Sequence, residues 1–365
     1  MEYLPLRQTQ LPAAEELLPY LRQIDANRWY SNFGPLVLEF ERRLAAHFGC
    51  EPNQLTTISN ATAGLEMALM TIPPAQEKKC LMPSLTFLAS PAAALIAGLE
   101  PFFVDIDRAT WQMTPDLARM AIKDAGGLGA IGAVMPVSTY GAPVDVDAWS
   151  AFQEETGVPV IIDAAWCFDS SRIGPALQCI SLHATKVFGV GEGGVILERD
   201  PLRVTAIRQM SNFGIRPDRS VAVSGMNAKM NEYCAPIGLA ALDSWPERRR
   251  RTLELQSWYA AALQGVQGLD VLVGSGSTWA SGTVAVLTEQ PLQAALAARS
   301  QERKVDIRYW WNRPCHEQPV YAHYPRSALP ATDWVRRRLV NLPFFVGMTE
   351  NDVDRVVSVL RDTIG

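Results

Sequence analysis

Lys186 ends the stretch Ser181-Leu182-His183-Ala184-Thr185-Lys186, and the residues that follow it, Val187-Phe188-Gly189 and later Gly193-Gly194, are apolar or small. A lysine in such a setting loses hydration of its ammonium form, so its pKa falls and a nucleophilic amine remains. That is what a Schiff-base lysine requires. Ser181, five residues earlier, supplies a hydroxyl that could grip a phosphate. The same residues also describe a surface lysine after a strand, so the case for catalysis depends on the rest of the chain.

Other positions could join it. Thr56 to Leu65 reads as a short strand turning into a helix through Asn60-Ala61-Thr62-Ala63-Gly64. A helix N-terminus favours an anion, although Asn, Ser and Thr also start helices simply by capping them. Cys80 to Pro83, Pro101 to Asp107, Ala130 to Val137, Val158 to Asp163 and Gly194 to Leu197 are further strand-like runs. Nearly continuous apolar strands that alternate with helices imply an α/β fold with a mostly parallel sheet covered on both faces. Ligands bind beyond the C-terminal ends of such strands, where Ser84, Ser138 and Asp163 fall.

The elements before and after complete the frame. Leu11 to Ile24 and Leu36 to Phe48 read as helices, the second with Leu38, Phe40, Leu44 and Phe48 on its apolar face. Between them lies the aromatic loop Trp29 to Pro35. A long helix from about Asn231 is expected to break at Pro246, and a division of the chain is expected there: a large domain over 1–245 and a smaller one over 246–365. Gly- and Ser-rich turns follow at 274–282.

With 365 residues, a net charge of −5 and no apolar run of membrane-spanning length, the chain has no general attraction to nucleic acid or membrane. The start Met1-Glu2-Tyr3-Leu4 lacks a signal pattern, and Cys50, Cys80, Cys167, Cys179, Cys234 and Cys315 form no CxxC pair or disulfide framework. The expectation is a cytoplasmic protein without a metal.

A lysine, a strand-end carboxylate, an aromatic after a strand end and phosphate-gripping small residues are the equipment for pyridoxal phosphate. The chain resembles the DegT/StrS nucleotide-sugar aminotransferases, a branch of the fold type I pyridoxal-phosphate enzymes. The resemblance runs in order through Gly34-Pro35, SNATAGL at 59–65, PSLTF at 83–87, FVDID at 103–107 and PVSTYGAP at 136–143. It continues with DAA at 163–165, SLHATK at 181–186, GEGG at 191–194, GMNAKMNE at 225–232 and NLPFF at 341–345.

The resemblance implies a large domain with a mostly parallel seven-stranded sheet between helices, and a smaller C-terminal α/β domain. It implies Lys186 and Asp163 as catalytic groups, with Asp163 on the pyridine nitrogen and Lys186 bonding the cofactor and shuttling a proton. Phe87 would stack on the ring, while Ala61, Thr62 and Ser181 would cradle the phosphate. Asn227 would reach the phosphate of a second subunit, which implies a homodimer. Trp166 stands where the family usually has Gln or His against the cofactor's 3′-oxygen. Tyr30, Phe33, His183 and His316 are the expected substrate contacts.

The implied reaction moves an amino group from L-glutamate, through the pyridoxamine phosphate form, to a nucleotide-linked 4-keto-6-deoxyhexose. The product would be a 4-amino-4,6-dideoxy sugar for surface polysaccharide such as O-antigen. A 3-keto sugar or a cyclic ketone as acceptor, and a non-catalytic cofactor-binding regulator, remain the alternatives. The family's usual Gly-Thr at the phosphate turn is Ala61-Thr62 here, and its common arginine after the second asparagine motif is Lys229.

Overall fold

The computed structural model describes residues 2–73, 78–221, 223–273, 276 and 278–365. Helices α1 (Ala14–Asn27) and α2 (Pro35–Phe48) precede strand β1 (Leu55–Ile58) and helix α3 (Ala61–Met70). Then come β2 (Lys79–Pro83), α4 (Ala89–Ile96), β3 (Glu100–Val104), α5 (Pro115–Asp124) and β4 (Ile131–Val134). Helix α6 (Val146–Thr156), strands β5 (Ile161–Asp163), β6 (Leu177–Ser181) and β7 (Gly194–Leu197), and helix α7 (Pro201–Met210) complete this part.

Because successive strand side chains point to opposite faces, neighbouring residues enter different cores. Ile162 and Val195 face one core with Phe40 of α2 and Trp149 and Phe152 of α6. Ile161 and Ile196 face the other, with Leu65 and Ala68 of α3 and Ala93 of α4. This two-sided burial is why the runs are apolar throughout. Within α2 the buried residues are Leu36, Val37, Phe40, Glu41, Leu44, Ala45 and Phe48, whereas Leu38, expected inside, is exposed.

The strands form two sheets, in the orders β1-β7-β6-β5 and β3-β2-β4. Strand β2 runs parallel to β3 and β4, and β5 parallel to β6, while β7 is antiparallel to both β6 and β1. In place of the expected single seven-stranded sheet the described strands form two, the four-stranded one mixed in direction and the three-stranded one parallel. They adjoin through the isolated parallel bridges Val134–Val160 and Val137–Asp163. Pro136 and Pro159 sit at this seam and have no N–H for a continuous ladder. Their carbonyls still accept, Pro159 from the Val134 N–H and Pro136 from the Asp163 N–H, each at 2.9 Å. The seam thus places Asp163 beside the end of β4.

Helix α8 (Cys234–Leu263) corrects a second expectation, because it continues through Pro246 for 30 residues. A proline removes one helical hydrogen bond, and here buried Trp245, Leu255 and Tyr259 hold the helix against two different cores. The helix crosses the position at which the chain was expected to divide. Beyond it, β8 (Leu269–Val273), β9 (Val284–Thr288) and β10 (Leu339–Leu342) form an antiparallel sheet in the order β10-β9-β8. Helices α9 (Gln293–Arg303), α10 (Pro330–Arg336) and α11 (Glu350–Ile364) accompany it. Its core joins Val286 and Val340 to Val356 and Leu360 of α11, and also to Leu4 from the start of the chain. Of the turns expected at 274–282, residues 274, 275 and 277 lie outside the described residues.

Candidate active site

Strand β6 ends at Ser181, and the chain then folds back on the glycine-rich stretch before β7. The Leu182 N–H donates to Gly193 O at 2.9 Å, Ala184 N–H to Gly191 O at 2.8 Å, and Lys186 N–H to His183 O at 2.9 Å. This compact turn presents Lys186 to a cavity of about 400 Å³ that also meets Thr62, Phe87, Trp166, Ser181 and His183. The Lys186 side chain is half-buried and its amine is withdrawn from water. It has no hydrogen-bond or ion-pair partner among the described residues, and its Nζ lies 4.0 Å from the centroid of the Trp166 ring. Desolvation lowers the Lys186 pKa to about 7, with nearby Asp163 opposing and Arg7 reinforcing the fall.

Asp163 is the last residue of β5 and is 4% exposed. Ser90 Oγ donates to its Oδ2 at 2.7 Å, and the Ala165 N–H to its Oδ1 at 3.2 Å. Burial pushes the Asp163 carboxyl up, while the Ser90 and Ala165 donors and the Lys186 charge pull it back toward the ionised form. Ser90 comes from α4, two residues into the helix, and was not singled out in the sequence. Asp163, Lys186, Ala61, Thr62, Phe87 and Trp166 line one recess that adjoins the main cavity.

The N-terminus of α3 also lines the cavity. The Asn60 side chain accepts from the Ala63 N–H at 2.9 Å, so it caps the helix. The Ala61 and Thr62 N–H groups have no acceptor among the described residues and belong to the first helical turn, which leaves them to an anion. The cap therefore uses a different donor of this turn and leaves these two available to an anion. Gly194 makes the packing possible: a β-carbon there would stand 2.8 Å from Ala61 N. β7 therefore presses directly on the start of α3 and holds it beside Ser181.

Aromatic groups form the remaining wall. Phe87 is exposed and projects over the cavity. Tyr140 is fully buried and stacks on Trp311 at 4.3 Å between centroids, and Trp310 lies 5.9 Å from Trp166. His183 lines the cavity, with Nδ1 2.8 Å from Thr185 Oγ1 and Nε2 3.5 Å from Glu192 Oε1.

The other expected site residues lie elsewhere in the single chain. Tyr30 stacks on Tyr233, and Phe33 lies under the Arg208 guanidinium. His316 is held by Ser84, whose Oγ is 2.7 Å from its Nδ1. Exposed Asn227 accepts from Lys229 Nζ at 2.8 Å. Ser138, by contrast, lines the recess with Asp163 and Lys186, and its hydroxyl donates to Ala142 O at 2.8 Å. In turn, Arg7, Tyr140, Trp310 and Trp311 line the cavity without having been anticipated. The tandem Trp310-Trp311 was the available signal; Arg7 carried none.

These parts fit pyridoxal phosphate. Free N–H donors and a hydroxyl could hold the phosphate, and a desolvated amine lines the same cavity. A buried carboxylate, oriented by Ser90, lines the recess and could serve as the negative partner that a ring nitrogen needs.

Comparison with known proteins gives one answer. The model of the DegT/DnrJ/EryC1/StrS aminotransferase family matches residues 12–361. The chain is 32% identical to Protein Rv3402c of Mycobacterium tuberculosis (strain ATCC 25618 / H37Rv) over 376 aligned residues, covering 98% of this chain and 90% of that protein. Among solved structures, DesI in the presence of its TDP-sugar product superposes with a TM-score of 0.86 at 29% identity, over 98% of this chain and 92% of that one. The aminotransferase TlmJ from Streptoalloteichus hindustanus superposes with a TM-score of 0.87 at 25% identity, over 100% and 99% of the two chains.

Proposed function

The chain belongs to the DegT/DnrJ/EryC1/StrS aminotransferase family and is a pyridoxal-phosphate-dependent enzyme; from that premise we propose that it transfers an amino group from L-glutamate to a nucleotide-linked keto sugar. The acceptor we favour is a 4-keto-6-deoxyhexose, giving a 4-amino-4,6-dideoxy sugar for surface polysaccharide in the cytoplasm. The observation that carries the aminotransferase reading is the pairing of Lys186 and Asp163 in one recess. Similarity to DesI, which was solved with a TDP-sugar product, supports the nucleotide sugar.

Pyridoxal phosphate, when bound, supplies the electron sink for the carbanion that forms when an amino acid loses its α-proton. In this reading the chain's residues do the rest. Lys186 offers a neutral amine to bond the cofactor, then removes and returns the proton. Asp163, held by Ser90, keeps the ring nitrogen protonated. Ala61, Thr62 and Ser181 hold the phosphate, Phe87 covers a ring face, and Trp166 donates its indole N–H toward the 3′-oxygen. Exposed Asn227 completes the phosphate site of a second copy in a homodimer. Residues 1–245 act as the large domain, with its two sheets as one seven-stranded layer, and 246–365 act as the small one.

The test follows the two half-reactions separately. L-Glutamate should convert the bound cofactor to its pyridoxamine form, and a TDP-4-keto-6-deoxyhexose should restore it. Restoration by a 3-keto isomer or a cyclic ketone alone would replace the acceptor. Failure of L-glutamate and other amino donors to convert the cofactor at all would overturn the enzyme reading in favour of a cofactor-binding regulator.

A further inference from the structure

Arg7 reaches the cavity from an N-terminal segment whose fixation does not depend on its side chain. The Leu4 N–H donates to Lys304 O and Leu4 O accepts from the Asp306 N–H, each at 2.9 Å. Leu6 O accepts from the Phe344 N–H at 2.9 Å, and the Leu4 and Leu6 side chains are buried. The guanidinium carbon lies 5.0 Å from the Trp166 ring centroid and 4.8 Å from that of Trp310. Two indoles therefore hold the cation, a favourable arrangement for a planar, weakly hydrated charge.

That setting leaves a hydrogen-bonding deficit. Arg7 Nη2 is closed off from water and has no hydrogen-bond partner among the described residues. A buried donor on a charged group is costly to leave unmet. Burial alone lowers the Arg7 pKa to about 10, so the group still carries its charge at neutral pH. Arg7 also lines the cavity, and a cation with an unmet donor there is complementary to an oxyanion.

We propose that Arg7 is the receptor for the carboxylate of the amino donor, an inference that rests on the aminotransferase reading. Its position chooses this oxyanion over a nucleotide phosphate. Arg7 and Lys186 set their charges over the same indole, that of Trp166. In an amino acid the carboxylate is bonded directly to the carbon whose proton Lys186 would remove. In a nucleotide sugar the diphosphate is separated from a 4-keto carbon by the sugar ring. An anion site beside the lysine therefore suits the amino acid, and its two-point geometry would fix the α-proton toward the amine.

The experiment titrates the holoenzyme with glutarate, an unreactive dicarboxylate, and separately with TDP. Calorimetry and cofactor absorbance follow both, and each half-reaction is timed. Arg7→Gln should weaken glutarate binding and raise the glutamate KM by about 10- to 100-fold, as expected for loss of a charge-assisted pair. TDP affinity and the KM for the keto sugar should stay within about twofold. Arg7→Lys, which keeps the charge but loses the fork, should recover part of the glutarate affinity and serves if Arg7→Gln folds poorly. Loss confined to TDP would assign the site to a phosphate and overturn the proposal, as would unchanged affinity for both ions. If wild-type enzyme reacts with neither glutamate nor other amino donors, the aminotransferase reading fails by itself. The glutarate titration then still decides whether Arg7 binds a carboxylate.

Discussion

The carboxylate of Glu232 occupies the space that a β-carbon on Gly34 would need: such a carbon would stand 2.5 Å from Oε2 and 2.8 Å from Oε1. Glu232 accepts from the Leu36 N–H at 2.6 Å and the Val37 N–H at 3.3 Å, and so caps the buried start of α2. Gly34-Pro35 and the distant Glu232 are thus two halves of one structural device. Glu232→Ala would leave two buried N–H groups without acceptors and should lower stability by about 2–4 kcal/mol. Gly34→Ala should also destabilise, by displacing the carboxylate. Denaturant unfolding checks both, and unchanged midpoints would contradict the cap.

Lys186 should be the point of cofactor attachment. Borohydride should fix pyridoxal phosphate covalently to Lys186, as read by peptide mass. Lys186→Ala should still take up cofactor but transaminate about 10⁴-fold more slowly. A label on another lysine, or turnover near the wild-type rate, would sink the assignment.

The pH dependence of attachment follows from the same burial. The lysine pKa is lowered from 10.5 to about 7, so the reactive neutral amine dominates above that point and the ammonium below it. Capture of pyridoxal phosphate by cofactor-free enzyme should accelerate as pH rises through about 7. A rise centred near the ordinary lysine value would mean the amine is solvated.

Asp163→Asn should retain the fold and lose several orders of magnitude in rate, because a neutral amide cannot keep the ring nitrogen protonated. Ser90→Ala removes only the 2.7 Å donor to Oδ2 and should cost roughly tenfold. Steady-state kinetics with circular dichroism separates the two. A twofold effect for Asp163→Asn would reduce that residue to a strand-end structural group.

Trp166 offers one N–H donor and a flat face shared by Lys186 and Arg7. Trp166→His should preserve cofactor binding while shifting the absorbance of the bound cofactor and the KM values. An unchanged spectrum together with unchanged affinities and kinetics would make the indole a packing group.

Local sequence carried the parts whose surroundings are set within one element. Strands buried on two faces must be apolar throughout, which exposed β2 to β5 and β7 and located Asp163 at a strand end. The turn at 59–64 needed small, capping residues, and Lys186 stood among apolar and glycine neighbours, so both were visible without coordinates. Pairing direction was not visible, because an antiparallel strand such as β7 has the same burial pattern as a parallel one. Nor was the interruption at Pro136 and Pro159, since a proline reveals its missing N–H only against a particular neighbour. The continuation of α8 past Pro246 was decided by two cores gripping opposite ends of one helix. Arg7 and the Trp310-Trp311 pair reach the cavity from remote segments, Ser90 reaches Asp163 behind it, and Tyr30 turns to Tyr233 instead of the cavity. Their positions follow from how separate elements pack, and a residue's local spacing holds no record of a neighbour hundreds of positions away.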